Sequence, residues 1–138
     1  LHRIIDITTV ESTLKAEKVI EGDEILRLQK LAMNIPIANA VQDYALRLII
    51  STLPDNPNAP EVTGKYLRYG ASPRGAQTLI RAAKVRALME GRYNVAFDDI
   101  RAVAHPALRH RLFLNFEAMA EGLGVDSVID EIIASIEE

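Results

Sequence analysis

The sequence predicts an all-α domain, a small bundle of five to seven helices. Apolar residues recur at three- and four-residue spacing along most of the chain, and helix start and stop residues bracket those stretches. Composition agrees: 138 residues with 49% hydrophobic and 25% charged content, and no cysteine, suit one globular domain with one apolar core.

The N-terminal stretch Ile4 to Leu14 is rich in β-branched residues and reads as a helix only against their preference. After Gly22 and Asp23, Ile25, Leu28, Leu31, Ala32 and Ile35 form a stripe that predicts a helix over 24–34, interrupted by Pro36. From Asn39, a second stripe of Val41, Tyr44, Ala45, Leu48, Ile49 and Thr52 predicts a helix that stops before Pro54, since proline disfavours a helical residue ahead of it. Pro54, Pro57 and Pro60 then open a connection of about 17 residues, long enough to suggest a functional loop, with at most a short extended piece over 66–70. Ser72 and Pro73 supply an N-cap hydroxyl and a favourable first helical residue, so a long helix is expected to run to about Glu90 and stop at Gly91. Its buried edge is small (Ala76, Leu79, Ile80, Ala83, Ala87), which lets neighbouring backbones approach and places it at the centre. Asp98 or Asp99 is expected to open a short helix, which His105-Pro106 breaks before another runs through Leu108 and Leu112. Asp126 or Ser127 is expected to cap the last helix, with Ile129, Ile132, Ile133 and Ile136 inward.

The net charge of −3 conceals an uneven distribution. Residues 1–64 carry 6 basic and 9 acidic side chains, residues 65–111 carry 10 and 3, and residues 112–138 carry none and 7. Anions are therefore expected at the middle segment. Without cysteine, thiolate metal sites, disulfides and thiol catalysis are excluded. No apolar run approaches a membrane span and no signal peptide opens the chain, so a cytoplasmic protein without membrane contact is expected. His105 and His110 fall on different helix faces and His2 is remote, so no metal site is expected.

Gly70-Ala-Ser-Pro-Arg-Gly75 has the two-glycine spacing of a phosphate-binding loop, but Ala76 and Gln77 stand where a Lys and a Ser/Thr are required. What remains is a helix N-terminus, where unpaired N–H groups favour anions, with Arg74 in its first turn. A cation there opposes the helix dipole. Two readings follow: Arg74 pairs with a carboxylate or extends into solvent, or an anion sits opposite it. Arg81 lies seven residues on and shares the face of Arg74, a weaker second contact. Lys84 and Arg86 read as a solvated basic face, and Arg109-His110-Arg111 as a packing or domain-contact segment.

Residues 70–112 also resemble the C-terminal helical lid of MoxR-type AAA+ ATPases. The likeness rests on Ser72-Pro-Arg74 at a helix start, Arg81-Ala-Ala-Lys84, Gly91-Arg-Tyr-Asn-Val95, Asp98-Asp-Ile100 and Leu108-Arg-His-Arg-Leu112, and extends loosely over 17–136. It implies a bundle of AAA+ lid type over 17–138, with 1–16 connecting it to an N-terminal ATPase core. Arg74 would correspond to the sensor 2 arginine that reaches the γ-phosphate of ATP, supported by Ser72 as N-cap. It further implies ATP and Mg2+ as cofactors of the full-length protein, with none held tightly by this segment. The implied partners are the core of the same or a neighbouring subunit, a hexameric homo-oligomeric ring and a client protein that is remodelled or activated. Where the family has a hydroxyl and a proline before the acidic pair, this chain has Ala96-Phe97, which moves the expected helix start to Asp98. Neither a phosphate-binding loop nor a magnesium-holding strand end is present, so this segment alone is expected to hydrolyse no ATP. A helical DNA-binding module using the basic middle, and an oligomerisation module, are the competing expectations.

Overall fold

In the computed structural model, residues 17–138 are described, together with His2, Ile5 and Thr9, which are helical. The other residues of the expected 1–16 connector and of the Ile4 to Leu14 helix lie outside the described residues. Seven helices and a two-stranded antiparallel sheet follow in the order α1 (Gly22–Met33), α2 (Asn39–Ser51), α3 (Glu61–Tyr66), β1 (Leu67–Tyr69), α4 (Pro73–Met89), α5 (Phe97–Leu108), β2 (Phe113–Leu114), α6 (Phe116–Ala120) and α7 (Val125–Ala134). The all-α bundle stands, with the short sheet as an addition. Leu67 pairs with Leu114 and Tyr69 with Phe113 across a bulge.

The small edge of α4 places it at the centre. Gly75, Ala76, Leu79, Ala83 and Ala87 are buried, and α5, α2 and α1 all pack on this helix, α5 most extensively. On the α2 side, Val41, Tyr44, Ala45, Leu48, Ile49 and Thr52 are buried as the stripe predicts. The helix α4 ends at Met89 and is stopped by Gly91, whose φ of +70° favours glycine, and the Arg92 N–H reaches back to the Ala87 carbonyl at 2.8 Å.

Several local expectations are corrected. The stripe of α1 buries only Ala32, with Ile35 just beyond; Ile25, Leu28 and Leu31 remain about 40% exposed, because α1 lies at the edge and packs mainly on α4. The proline-rich connection contains α3, whose start is tied to α2 by the Thr63 hydroxyl donating to the Ser51 carbonyl at 2.6 Å. Pro106 does not break α5. It falls in the last turn and removes only its own N–H from the helix, while buried Ala107 and Leu108 hold that turn against the core. The same helix starts at Phe97 rather than Asp98, with Asp99 Oδ2 accepting from the Ala96 N–H at 2.9 Å in place of a capping hydroxyl. The helix α6, which no periodicity announced, is capped by Asn115, whose side chain accepts from the Ala118 N–H at 3.0 Å. At the C-terminal end α7 begins at Val125 behind Gly124, leaving Asp126 inside the first turn.

Candidate functional site

The first turn of α4 is the candidate site, and the two glycines that bracket it fix its place. A Cβ on Gly70 would stand 2.1 Å from the Thr52 carbonyl oxygen. Thr52, fully buried at the end of α2, donates its hydroxyl to the Ile49 carbonyl at 2.7 Å and accepts from the Ala71 N–H at 2.9 Å. A Cβ on Gly75 would stand 3.1 Å from Ile49 Cδ1 and 3.2 Å from the Ala71 Cβ. Both glycines therefore serve close packing against the end of α2.

Ser72 occupies the N-cap position, but its side chain makes no capping bond. This corrects the expected support from its hydroxyl. Pro73 has no N–H to offer, and the Gly75 N–H already donates to the Ser72 carbonyl at 2.7 Å. Arg74 is exposed, and its first turn carries no acidic residue. Among the described residues its guanidinium meets no hydrogen-bond, ion-pair or aromatic partner. Of the two readings of Arg74, pairing with a carboxylate is thus removed within the described residues. The Arg74 carbonyl accepts from the Thr78 hydroxyl at 2.9 Å. An apolar groove of about 490 Å³ lies beside the turn, lined by Leu46, Ile50, Leu53, Pro73, Gln77 and Ile80 among others.

Arg81 is also exposed and without a partner among the described residues. It lines a separate cleft with Leu26, Lys30 and Met33 of α1. Other cations of the basic middle are occupied. Lys84 Nζ donates to the Met33 carbonyl at 2.9 Å and Arg86 pairs with Glu90 at 2.7 Å, so neither belongs to a freely solvated face. Arg109 makes two bonds of 2.7 Å to Asp126. These interactions hold the carboxyl of Asp126 below its ordinary range and raise the guanidinium of Arg109. His105 lies 2.9 Å from Asp130, and among the described residues no group of three or more His, Cys, Asp or Glu side chains is placed to hold a metal ion.

Asp99, which reads in the sequence as a candidate helix-opening residue, is fully buried. Arg92 binds both its oxygens at 2.6 and 2.7 Å, and Arg86 lies 3.4 Å away. The Arg92 hydrogen bonds hold the Asp99 carboxyl below the usual carboxylate range, aided by the Ala96 N–H and opposed by desolvation. Its contribution to stability is complete above the unfolded carboxylate value of about 3.9 and is lost as pH falls through the lower folded value. Asp99→Asn is expected to lower stability by about 2 kcal/mol at pH 7, below the range for a wholly buried pair because Arg92 retains 35% side-chain exposure. Denaturation curves of the two proteins should converge as pH falls below the lowered folded value of Asp99; equal midpoints at pH 7 would overturn the assignment.

Sequence reasoning missed two neighbours of the site. Arg111 Nη2 donates to Thr78 Oγ1 at 3.1 Å across 33 residues of chain. The only signal was the basic Arg109-His110-Arg111 tract, which marks a segment without saying what it reaches. Among the described residues, no helix is long and apolar enough to cross a membrane.

Residues 61–132 match the model of the AAA lid domain family. The chain is 30% identical over 122 residues to the chaperone MoxR1 of Mycobacterium tuberculosis, covering 88% of this chain and 32% of that protein. It is 45% identical over 74 residues to the protein MoxR of Paracoccus denitrificans, covering 52% and 22%. The crystal structure of a candidate ATPase from Cytophaga hutchinsonii superposes with a TM-score of 0.82 at 27% identity, over 99% of this chain and 42% of that one. The chain spans about a third of the length of the first curated relatives it matches.

Proposed function

The chain belongs to the AAA lid domain family, as a lid of the MoxR type, and from that premise we propose that Arg74 is its nucleotide sensor. The observation that carries this reading is the unpaired guanidinium at the N-terminus of α4, where the helix dipole opposes a cation unless an anion faces it. The first turn fits a phosphate group: it offers a cation that is free among the described residues, and it has no carboxylate to repel the ligand. It does not fit Mg2+, which takes oxygen ligands and would be held by the ATPase core of the parent protein.

When bound, ATP would supply the transferring phosphoryl group. Such transfer is catalysed chiefly by positioning and charge stabilisation. The packing of Gly70 on Thr52 and of Gly75 on Ile49 ties the first turn to the bundle, so Arg74 moves with the lid as a body. Its guanidinium would join the γ-phosphate in one lid position and leave it in another, coupling nucleotide state to domain rotation. Ser72 sets the start of the helix through its backbone, and Arg81, exposed and without a partner among the described residues, would be a weaker second contact.

In the parent, residues 1–16 would connect this lid to the N-terminal core. A cytoplasmic hexameric ring would use ATP and Mg2+ to remodel or activate a client protein. This segment alone would hydrolyse no ATP. The DNA-binding alternative loses support, because Arg86, Arg92, Arg101 and Arg109 are engaged by carboxylates. The test is ATP turnover by the parent protein carrying Arg74→Ala; undiminished turnover would remove the assignment.

A further inference from the structure

Among the described residues Arg74 has no side-chain partner to hold it, so the backbone of the first α4 turn sets where its guanidinium starts. That backbone has one side-chain tether at Arg74 itself, the Thr78 hydroxyl donating to the Arg74 carbonyl at 2.9 Å. A helical Thr hydroxyl can turn toward more than one acceptor, so the bond is only as well defined as the hydroxyl's orientation. Arg111 supplies that orientation. Its Nη2 donates to Thr78 Oγ1 at 3.1 Å, which occupies a lone pair and leaves the single hydroxyl hydrogen for the Arg74 carbonyl.

We infer that Arg111 is a positioning residue for Arg74, acting through Thr78. The inference rests on the reading of Arg74 as nucleotide sensor. Arg111 is half-buried and meets no carboxylate among the described residues; its other polar neighbour is the ring of His110. A guanidinium placed for stability alone would be expected to find an acid, as Arg109 finds Asp126 two residues earlier. The stem of Arg111 instead crosses the first turn of α4, with Cδ 3.7 Å from where a Gly75 Cβ would stand. Its backbone is fixed at the end of α5, the Arg111 N–H donating to the Leu108 carbonyl at 2.7 Å. The end of α5 thus braces the turn that carries Arg74.

The experiment compares kcat and KM for ATP, with thermal unfolding, in the full-length parent carrying Arg111→Ala, Thr78→Val, Arg74→Ala and the two double variants with Arg74→Ala. Arg111→Ala and Thr78→Val should each lower kcat about tenfold, the scale of a modest misplacement of a catalytic group, with KM changed less. Arg111→Lys should restore most of the loss, since an ammonium can still donate to Thr78. On the Arg74→Ala background neither change should slow turnover further, because a residue that acts through Arg74 has nothing left to position. A kcat at the wild-type level in Arg111→Ala and Thr78→Val overturns the inference. So does a loss that multiplies with that of Arg74→Ala, which would mean Arg111 acts on the nucleotide directly. In both cases the reading of Arg74 survives; wild-type turnover in Arg74→Ala would remove both.

Discussion

Replacing Arg74 by alanine in the parent ATPase is expected to lower kcat by about 10²- to 10³-fold, the loss typical of one charged or hydrogen-bonding group aimed at developing negative charge. Folding should be unaffected, because the guanidinium is exposed and forms no bond among the described residues that its removal could break. Helix stability should rise slightly, since a cation is removed from the positive end of α4. This combination separates the proposal from a structural role, in which activity and stability would fall together. Arg74→Lys should recover only part of the rate, because an ammonium keeps the charge but loses the planar fork that matches phosphate oxygens. Steady-state hydrolysis and thermal unfolding on the same preparations check it. Turnover within twofold of wild type in Arg74→Ala would leave the free cation at the head of α4 without this explanation.

The oddity of Arg74 is legible in the sequence because it is local. Ser72 and Pro73 announce a helix start, and a cation two residues inside it is unfavourable whatever surrounds it. The stripe of α2 and the small edge of α4 are legible for the same reason, since periodicity reports which face is buried. What depends on distant parts of the chain is not. Asp99 has the sequence signature of a helix-start acid, and only the return of Arg92 and Arg86 from the end of α4 makes it a buried ion-pair partner. Pro106 reads as a breaker because the local rule is correct, yet near the end of α5 one lost bond is outweighed by burying Ala107 and Leu108. At six residues α3 is too short to show a period. The bond from Arg111 to Thr78 spans 33 residues, so the tract that contains Arg111 was visible and its purpose was not. Ser72 marks the intermediate case, a correct position with the wrong atom, because its carbonyl rather than its hydroxyl receives the Gly75 N–H.

Gly70→Ala is expected to destabilise the domain by about 3 kcal/mol, although Gly70 lacks the positive φ that most often requires glycine. The reason is space. An added Cβ would stand 2.1 Å from the Thr52 carbonyl oxygen and 2.6 Å from its carbon, both backbone atoms of a residue buried at the end of α2. No side-chain rotation relieves that contact, so the loop must withdraw from α2. Withdrawal strains packed atoms, at about 1–3 kcal/mol, and lengthens the bond from the Ala71 N–H to Thr52 Oγ1, worth about 1 kcal/mol. Thr52→Val, which removes only the hydroxyl, should therefore cost less than Gly70→Ala. Chemical denaturation of the chain measures both, and a Gly70→Ala midpoint equal to wild type would show that α2 and the loop are not locked together. The consequence reaches the site, because Gly70 precedes Arg74 by four residues and leads directly into its turn. In the parent, the folded fraction of Gly70→Ala should hydrolyse ATP more slowly, as a displaced guanidinium loses its alignment with the phosphate. A glycine that superficially suggests a phosphate-binding loop would then influence phosphate chemistry by a different route, through the place it gives to Arg74.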